Sequence, residues 1–179
     1  MSSFLKSTLL ANRDATPKVL SDAFLAGGIL SETIGSVKVG TSDSANSYYR
    51  LISIPSNARI SQLYWQSDAI GSGGPTQLDV AVWYPTSIPT GGANFLASGS
   101  SGAILSSSFF ATALQANTAN ALTEITNSST NYLIPLQETP LWNVLGFTAD
   151  PEISFDIGFV TRTATQAAGY VGLKCRYQY

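Results

Sequence analysis

The sequence predicts an all-β chain, an antiparallel β-sandwich of Greek-key or jelly-roll type, and three observations lead there. From residue 33 onward apolar residues recur with a period of two in at least six separate runs, the mark of half-buried strands. Clusters of Gly, Pro, Ser and Asn suited to turns separate those runs. Nowhere is there a helical pattern long enough for the crossover that a parallel sheet requires.

The runs can be taken in order. Val37 and Val39 alternate with Ser36 and Lys38; over residues 48–54, Tyr49 and Leu51 oppose Arg50 and Ile52; over 59–68, Leu63 and Trp65 oppose Gln62 and Gln66. Leu78, Val80 and Val82 then alternate with Gln77, Asp79 and Ala81, and Pro85 stops the run. Two further strands close the chain: Ile153, Phe155, Ile157 and Phe159 against Ser154, Asp156 and Gly158, and Val171, Leu173, Cys175, Tyr177 and Tyr179 against Gly172, Lys174, Arg176 and Gln178.

The middle, residues 89–131, carries little signal. Gly91-Gly92, 98–102, Ser106-Ser107-Ser108 and 127–130 look turn-like, and short strands or long loops fit equally well. One short helical turn is expected near 140–145, with Pro140 at its first position, Leu141, Val144 and Leu145 on one face and Gly146 as terminator. No internal repeat of fixed period is present, which excludes solenoids and propellers.

Residues 1–32 break the pattern. Single apolar residues are mixed with Asn12, Asp14, Pro17 and the Gly27-Gly28 pair, and the spacing supports at most a helical turn around 21–26. We read 1–32 as an extended N-terminal arm and 33–179 as the sandwich domain. Phe4, Leu5, Leu9, Leu10, Phe24 and Leu25 are its candidate partner-binding residues, because apolar side chains on an extended arm need a surface to cover them.

Composition narrows the function. Only 11% of the residues are charged and the net charge is −2, so the surface is polar and nearly neutral, which favours association over dispersal. The 9 Lys and Arg are scattered singly from Lys6 to Arg176, leaving no basic stripe for nucleic acid. Residues 1–10 lack a signal-type apolar core, and no run approaches a membrane span, so neither export nor a bilayer is expected. The single cysteine, Cys175, reads as a small buried hydrophobe.

The chain has no histidine, which removes the usual general base, the usual triad partner and the commonest metal ligand. Carboxylates remain: Asp68, Asp79, Asp150, Glu152 and Asp156. A pair of them across a cleft could hydrolyse a glycoside, yet Asp156 alternates with Phe155 and Ile157 and should face solvent, and Asp150 before Pro151 suits a turn. No catalytic residue, cofactor or metal site is expected. Gly71-Ser72-Gly73-Gly74 lacks the Lys and Ser/Thr of a phosphate loop and reads as a flexible turn. Outward aromatic rings, with Trp65, Trp83 and Trp142 as candidates, are the alternative feature: they could line a shallow glycan- or receptor-binding site, as in a fibre head or lectin, or anchor a protein interface.

Several phrases, in order, resemble small structural proteins of tailed bacteriophages. They are Tyr49-Arg50-Leu51-Ile52-Ser53-Ile54-Pro55-Ser56-Asn57-Ala58-Arg59-Ile60, then Ser67-Asp68-Ala69-Ile70 and Gly74-Pro75-Thr76-Gln77-Leu78-Asp79-Val80-Ala81-Val82, and later Leu141-Trp142-Asn143-Val144-Leu145-Gly146-Phe147-Thr148-Ala149-Asp150-Pro151 with Phe155-Asp156-Ile157. The resemblance spans about residues 33–179 and implies a capsid decoration, or cement, protein. Such a protein binds the outside of the major capsid protein lattice, bridges neighbouring capsomers and works as a homodimer or homotrimer. It would be made in the host cytoplasm and reside on the outer capsid surface of the virion. The arm and 89–131 fall outside what can be matched.

Overall fold

The computed structural model describes residues 29–71, 74–86 and 102–178. The elements are β1 (Leu30–Val39), β2 (Tyr48–Pro55), β3 (Arg59–Ser67), β4 (Gln77–Trp83), β5 (Ile104–Gln115), β6 (Asn120–Glu124), α1 (Ile134–Gln137), α2 (Leu141–Val144), β7 (Ser154–Thr161) and β8 (Gly169–Gln178).

Pairing is antiparallel throughout, in two four-stranded sheets ordered β1-β8-β3-β6 and β2-β7-β4-β5. First pairs with last, second with seventh, third with sixth and fourth with fifth, so the chain is one long hairpin rolled up until β8 meets β3 and β7 meets β4. That is the jelly roll, and the expected sandwich is what the chain forms.

The two-residue period explains which side chains are inside. Val37, Val39, Val171, Leu173, Cys175, Leu63 and Trp65 from one sheet face Ile52, Ile54, Phe155, Ile157, Phe159, Leu78, Val80 and Val82 from the other. Trp65 meets Phe159 edge-on across the gap, with centroids 6.3 Å apart. The Cys175 thiol is fully buried, and burial pushes its pKa up to about 12, so it packs as an inert apolar group.

Several local departures have visible causes. At Gly35 the sheets approach so closely that an added Cβ would lie 2.1 Å from the Leu51 carbonyl oxygen. Leu51 itself is the extra residue of a bulge between Arg50 and Ile52, which is why Ile52 and Ile54 are the core residues of β2. A second irregularity separates Ile60 from Gln62 in β3. There the buried Tyr132 hydroxyl donates to the Ile60 carbonyl at 2.8 Å and accepts from its N–H at 3.2 Å, satisfying both backbone groups.

Four expectations need correction. The Ser106-Ser107-Ser108 stretch is part of β5 and not a turn; Phe109 and Phe110 are both buried there, because repeated register shifts against β4 break the alternation. The helical turn at 141–144 has Pro140 as its cap residue, just before the first position. It is joined by another, α1, which lacks any buried residue and so carried no periodic signal. Finally, strand begins at Leu30, so Leu30, Ser31 and Glu32, read as arm, pair with β8.

Candidate functional site

The two sheets present very different outer faces. On β2-β7-β4-β5 the outward residues of the centre are covered: Trp83, Ala81 and Val160 form a second apolar cluster, with 1%, 0% and 4% exposure. Tyr48 packs edge-on to the Trp83 ring at 6.2 Å, and the Arg50 guanidinium lies 5.7 Å from its centroid. Arg50 is fixed in turn by the Tyr84 and Gly102 carbonyls, which accept from it, and by Asp156 at 3.5 Å.

On β1-β8-β3-β6 the outer face is open. Ile34 is 67% exposed, Tyr170 57%, Leu30 54% and Leu122 51%. Between Ile34 on β1 and Leu122 on β6 lies a notch of about 260 Å³, floored by Gly172 on β8. Ser36 and Gln66 stand opposite Gly172 in the register, one on each flanking strand, so the missing side chain leaves a gap in the middle of the sheet. A recess of about 180 Å³ continues from it past Tyr170 and Asp68. Lys174 and Arg176 share Glu32 on the same face, at 2.9 and 2.8 Å. Those two cations hold the Glu32 carboxyl below its usual range, the Arg176 hydrogen bond being the larger cause.

The larger hollow, about 510 Å³, lies at one end of the sandwich among Pro55, Ser56, Pro85, Asp150, Glu152 and Ile153. Asp150 there accepts hydrogen bonds from the Ser56 hydroxyl and, at 2.9 Å, from the Glu152 N–H, an arrangement that closes the turn expected before Pro151. Asp68, Asp79 and Asp156 are likewise engaged. Asp68 accepts from the Tyr170 N–H at 2.8 Å; Asp79 is buried, accepts from the Ala113 N–H at 2.8 Å and pairs with Arg162 at 2.7 Å. Asp156, expected to face solvent, is held against Arg50 with a side chain 20% exposed. Among the described residues no group of three or more Cys, Asp or Glu could hold a metal ion, and no helix is long and apolar enough to cross a membrane.

Of the three rings that the alternative glycan- or receptor-binding reading would need outward, Trp65 is in the main core and Trp83 under its own cover, while Trp142 is half-buried against the core. The sandwich buries the first because it falls on the inner phase of β3, with Leu63. Among the described residues the outward tyrosines Tyr48 and Tyr170 are the exposed rings instead. Phe4, Leu5, Leu9, Leu10, Phe24 and Leu25 lie outside the described residues. Sequence reasoning missed the notch; the signal was Gly172 alternating in phase with Lys174 and Arg176, an outward position without a side chain.

No protein-family model matches the chain, and no curated protein matches it. Among solved structures, a chain of the cyanophage Pam1 capsid asymmetric unit is similar at 17% identity and a TM-score of 0.40, over 85% of this chain and 86% of that one.

Proposed function

We propose that the protein is a structural virion component that decorates and cements a tailed-phage capsid. In this reading it binds the outside of the major capsid protein lattice and bridges neighbouring capsomers, as a homo-oligomer and without catalysis. The observation that carries it is the open outer face of β1-β8-β3-β6, where apolar Ile34, Leu122 and Tyr170 stand among uncharged Ser36 and Gln66 on a rigid sandwich. A docking surface combines such apolar and uncharged polar groups, and the charges beside them, Glu32, Lys174 and Arg176, are already paired with one another. The phage-like phrases of the sequence support the same reading, and the engagement of Asp68, Asp79, Asp150 and Asp156 in holding backbone and ion pairs suits a chain whose acids serve the fold.

The test is binding of the full chain to expanded capsid shells that lack it, scored by co-sedimentation, beside a version without residues 1–28. Saturable binding of the full chain, weakened by loss of the arm, is expected. If neither version binds a shell, the cement role fails.

A further inference from the structure

We infer that β1 is a pairing edge for β1 of a second copy of this chain: the two strands meet antiparallel about a twofold axis at Gly35 and join two four-stranded sheets into one. This rests on the cement reading only for the premise that copies associate, since the contact itself needs no shell. The sandwich has four edge strands, β1 and β6 in one sheet and β2 and β5 in the other. Edges expose unpaired backbone groups and are commonly blunted by bulges, shortness or proline. β2 has its bulge at Leu51 and ends in Pro55, β5 shifts register repeatedly, and β6 has only 5 residues with a shift in its pairing. β1 has none of these devices: its 10 residues pair with β8 in one unbroken register.

The free groups of that edge can be assigned. Tyr170 turns its backbone toward β3, because its carbonyl accepts from the Asp68 N–H and its own N–H donates to the Asp68 carboxylate, both at 2.8 Å. Backbone groups alternate sides along a strand, so Val171, Leu173 and Cys175 turn theirs toward Val37, Gly35 and Thr33 of β1. Glu32, Ile34, Ser36 and Lys38 therefore direct their N–H and C=O groups away from the sheet, where no other described residue bonds them.

The occupant is indicated by the charges of β1 itself. Glu32 and Lys38 stand at equal distances along the chain from Gly35. Antiparallel pairing centred there sets Glu32 opposite Lys38 of the second copy and Ile34 opposite its Ser36, the twofold axis repeats both, and every hydrogen-bonded pair uses the outward groups just assigned. Opposite charges directly across two strands stabilise the pair. Lys174 and Arg176 both reach the same Glu32 oxygen, Oε2, which leaves Oε1 for an arriving ammonium. Lys38 is exposed and makes no ion pair among the described residues. Opposed side chains share one side of a sheet, so the open faces of the two copies would lie side by side.

Measurements on the full chain test the edge and its register. Sedimentation equilibrium should show a dimer that Ser36→Pro weakens roughly tenfold or more. That substitution removes an N–H used by no bond within the chain, so the circular dichroism spectrum should not change. Lys38→Glu, which sets two carboxylates against each other, should weaken the dimer less and mainly at low salt. Register is read from Ile34→Cys and Ser36→Cys. Opposed hydrogen-bonded residues have Cα atoms about 5.5 Å apart, within reach of a disulfide, whereas the two copies of position 36, or of position 34, would be about 9 Å apart and out of reach. Oxidising the two variants together should therefore give a covalent dimer, and oxidising either alone should not; the buried Cys175 does not compete. The inference is overturned if the parent stays monomeric, as it would with its own residues 1–28 on this edge, if Ser36→Pro and Lys38→Glu both associate as the parent does, or if the mixture cross-links no more than each variant alone. Shell binding by a chain that stays monomeric sinks this contact alone, whereas a chain that pairs through β1 and binds no shell sinks the cement role alone.

Discussion

The outer faces of the two sheets are built by the same alternation and end in opposite states. On β2-β7-β4-β5 the outward Trp83 is 1% exposed, roofed in part by Tyr48 and Arg50; on β1-β8-β3-β6 the outward Ile34 is 67% exposed. A sheet in a sandwich needs only one apolar face. The closed face therefore contributes stability to the single chain, while the open face contributes little to it.

The largest difference between the faces should appear when one outward apolar side chain is truncated on each. Trp83→Ala should lose about 3–5 kcal/mol, as expected for a fully packed large side chain. Ile34→Ala should change stability by no more than about 0.5 kcal/mol, as for exposed positions generally. Urea unfolding of each variant at low protein concentration gives both values. Equal losses would mean that the two faces are not different in kind.

A smaller effect is expected at the rim of the closed face. Asp79 is 5% exposed and holds the N–H of Ala113, whose φ of 54° lies in the left-handed region. Asp79→Ala leaves that donor without its acceptor and removes the partner of Arg162. Because Arg162 is 47% exposed, the ion pair adds little, and the loss should be about 1–3 kcal/mol from the orphaned donor. Asn at 79 should recover a good part of it, since an amide oxygen can still accept from Ala113. If Asp79→Asn is as damaging as Asp79→Ala, the charge rather than the hydrogen bond is what matters there.

How much of this was legible in the sequence differs between the two sheets. β8 alternates cleanly, and outward Lys174 and Arg176 beside buried Val171, Leu173 and Cys175 can be read directly, whereas in β4 and β7 the outward Ala81, Trp83 and Val160 are apolar and buried too. β5 could not be read, because Phe109, Phe110 and Ala111 are buried consecutively after three serines, a pattern that only the shifting register against β4 explains. Nor could the covering of Trp83: alternation gives the side of a sheet on which a ring lies, and has nothing to say about what folds over that side. The notch shows the same limit. Gly172 is visible in the sequence as an outward glycine, but Ile34 and Leu122 are 88 positions apart in the chain and meet across it only because β1 and β6 are the two edges of one sheet.

The last and smallest effect concerns the ions of the open face. Glu32 accepts from Arg176 and Lys174, and its folded pKa lies below its ordinary value of about 4.3 because both cations favour the carboxylate. A depressed carboxylate contributes stability that is present above the unfolded pKa and is lost as pH falls through the folded value. Glu32→Gln should therefore be slightly less stable than the parent at pH 7 and indistinguishable from it once the pH is well below the folded value, where both side chains are neutral. Because the group is exposed, the difference at pH 7 should also shrink as salt is raised. Thermal unfolding of both proteins across pH 2.5–7 at low and high ionic strength measures it. A difference that survives acid and salt would mean that Glu32 holds the edge strand through shape or backbone contacts, and the open face would then contribute more to the single chain than its exposed residues indicate.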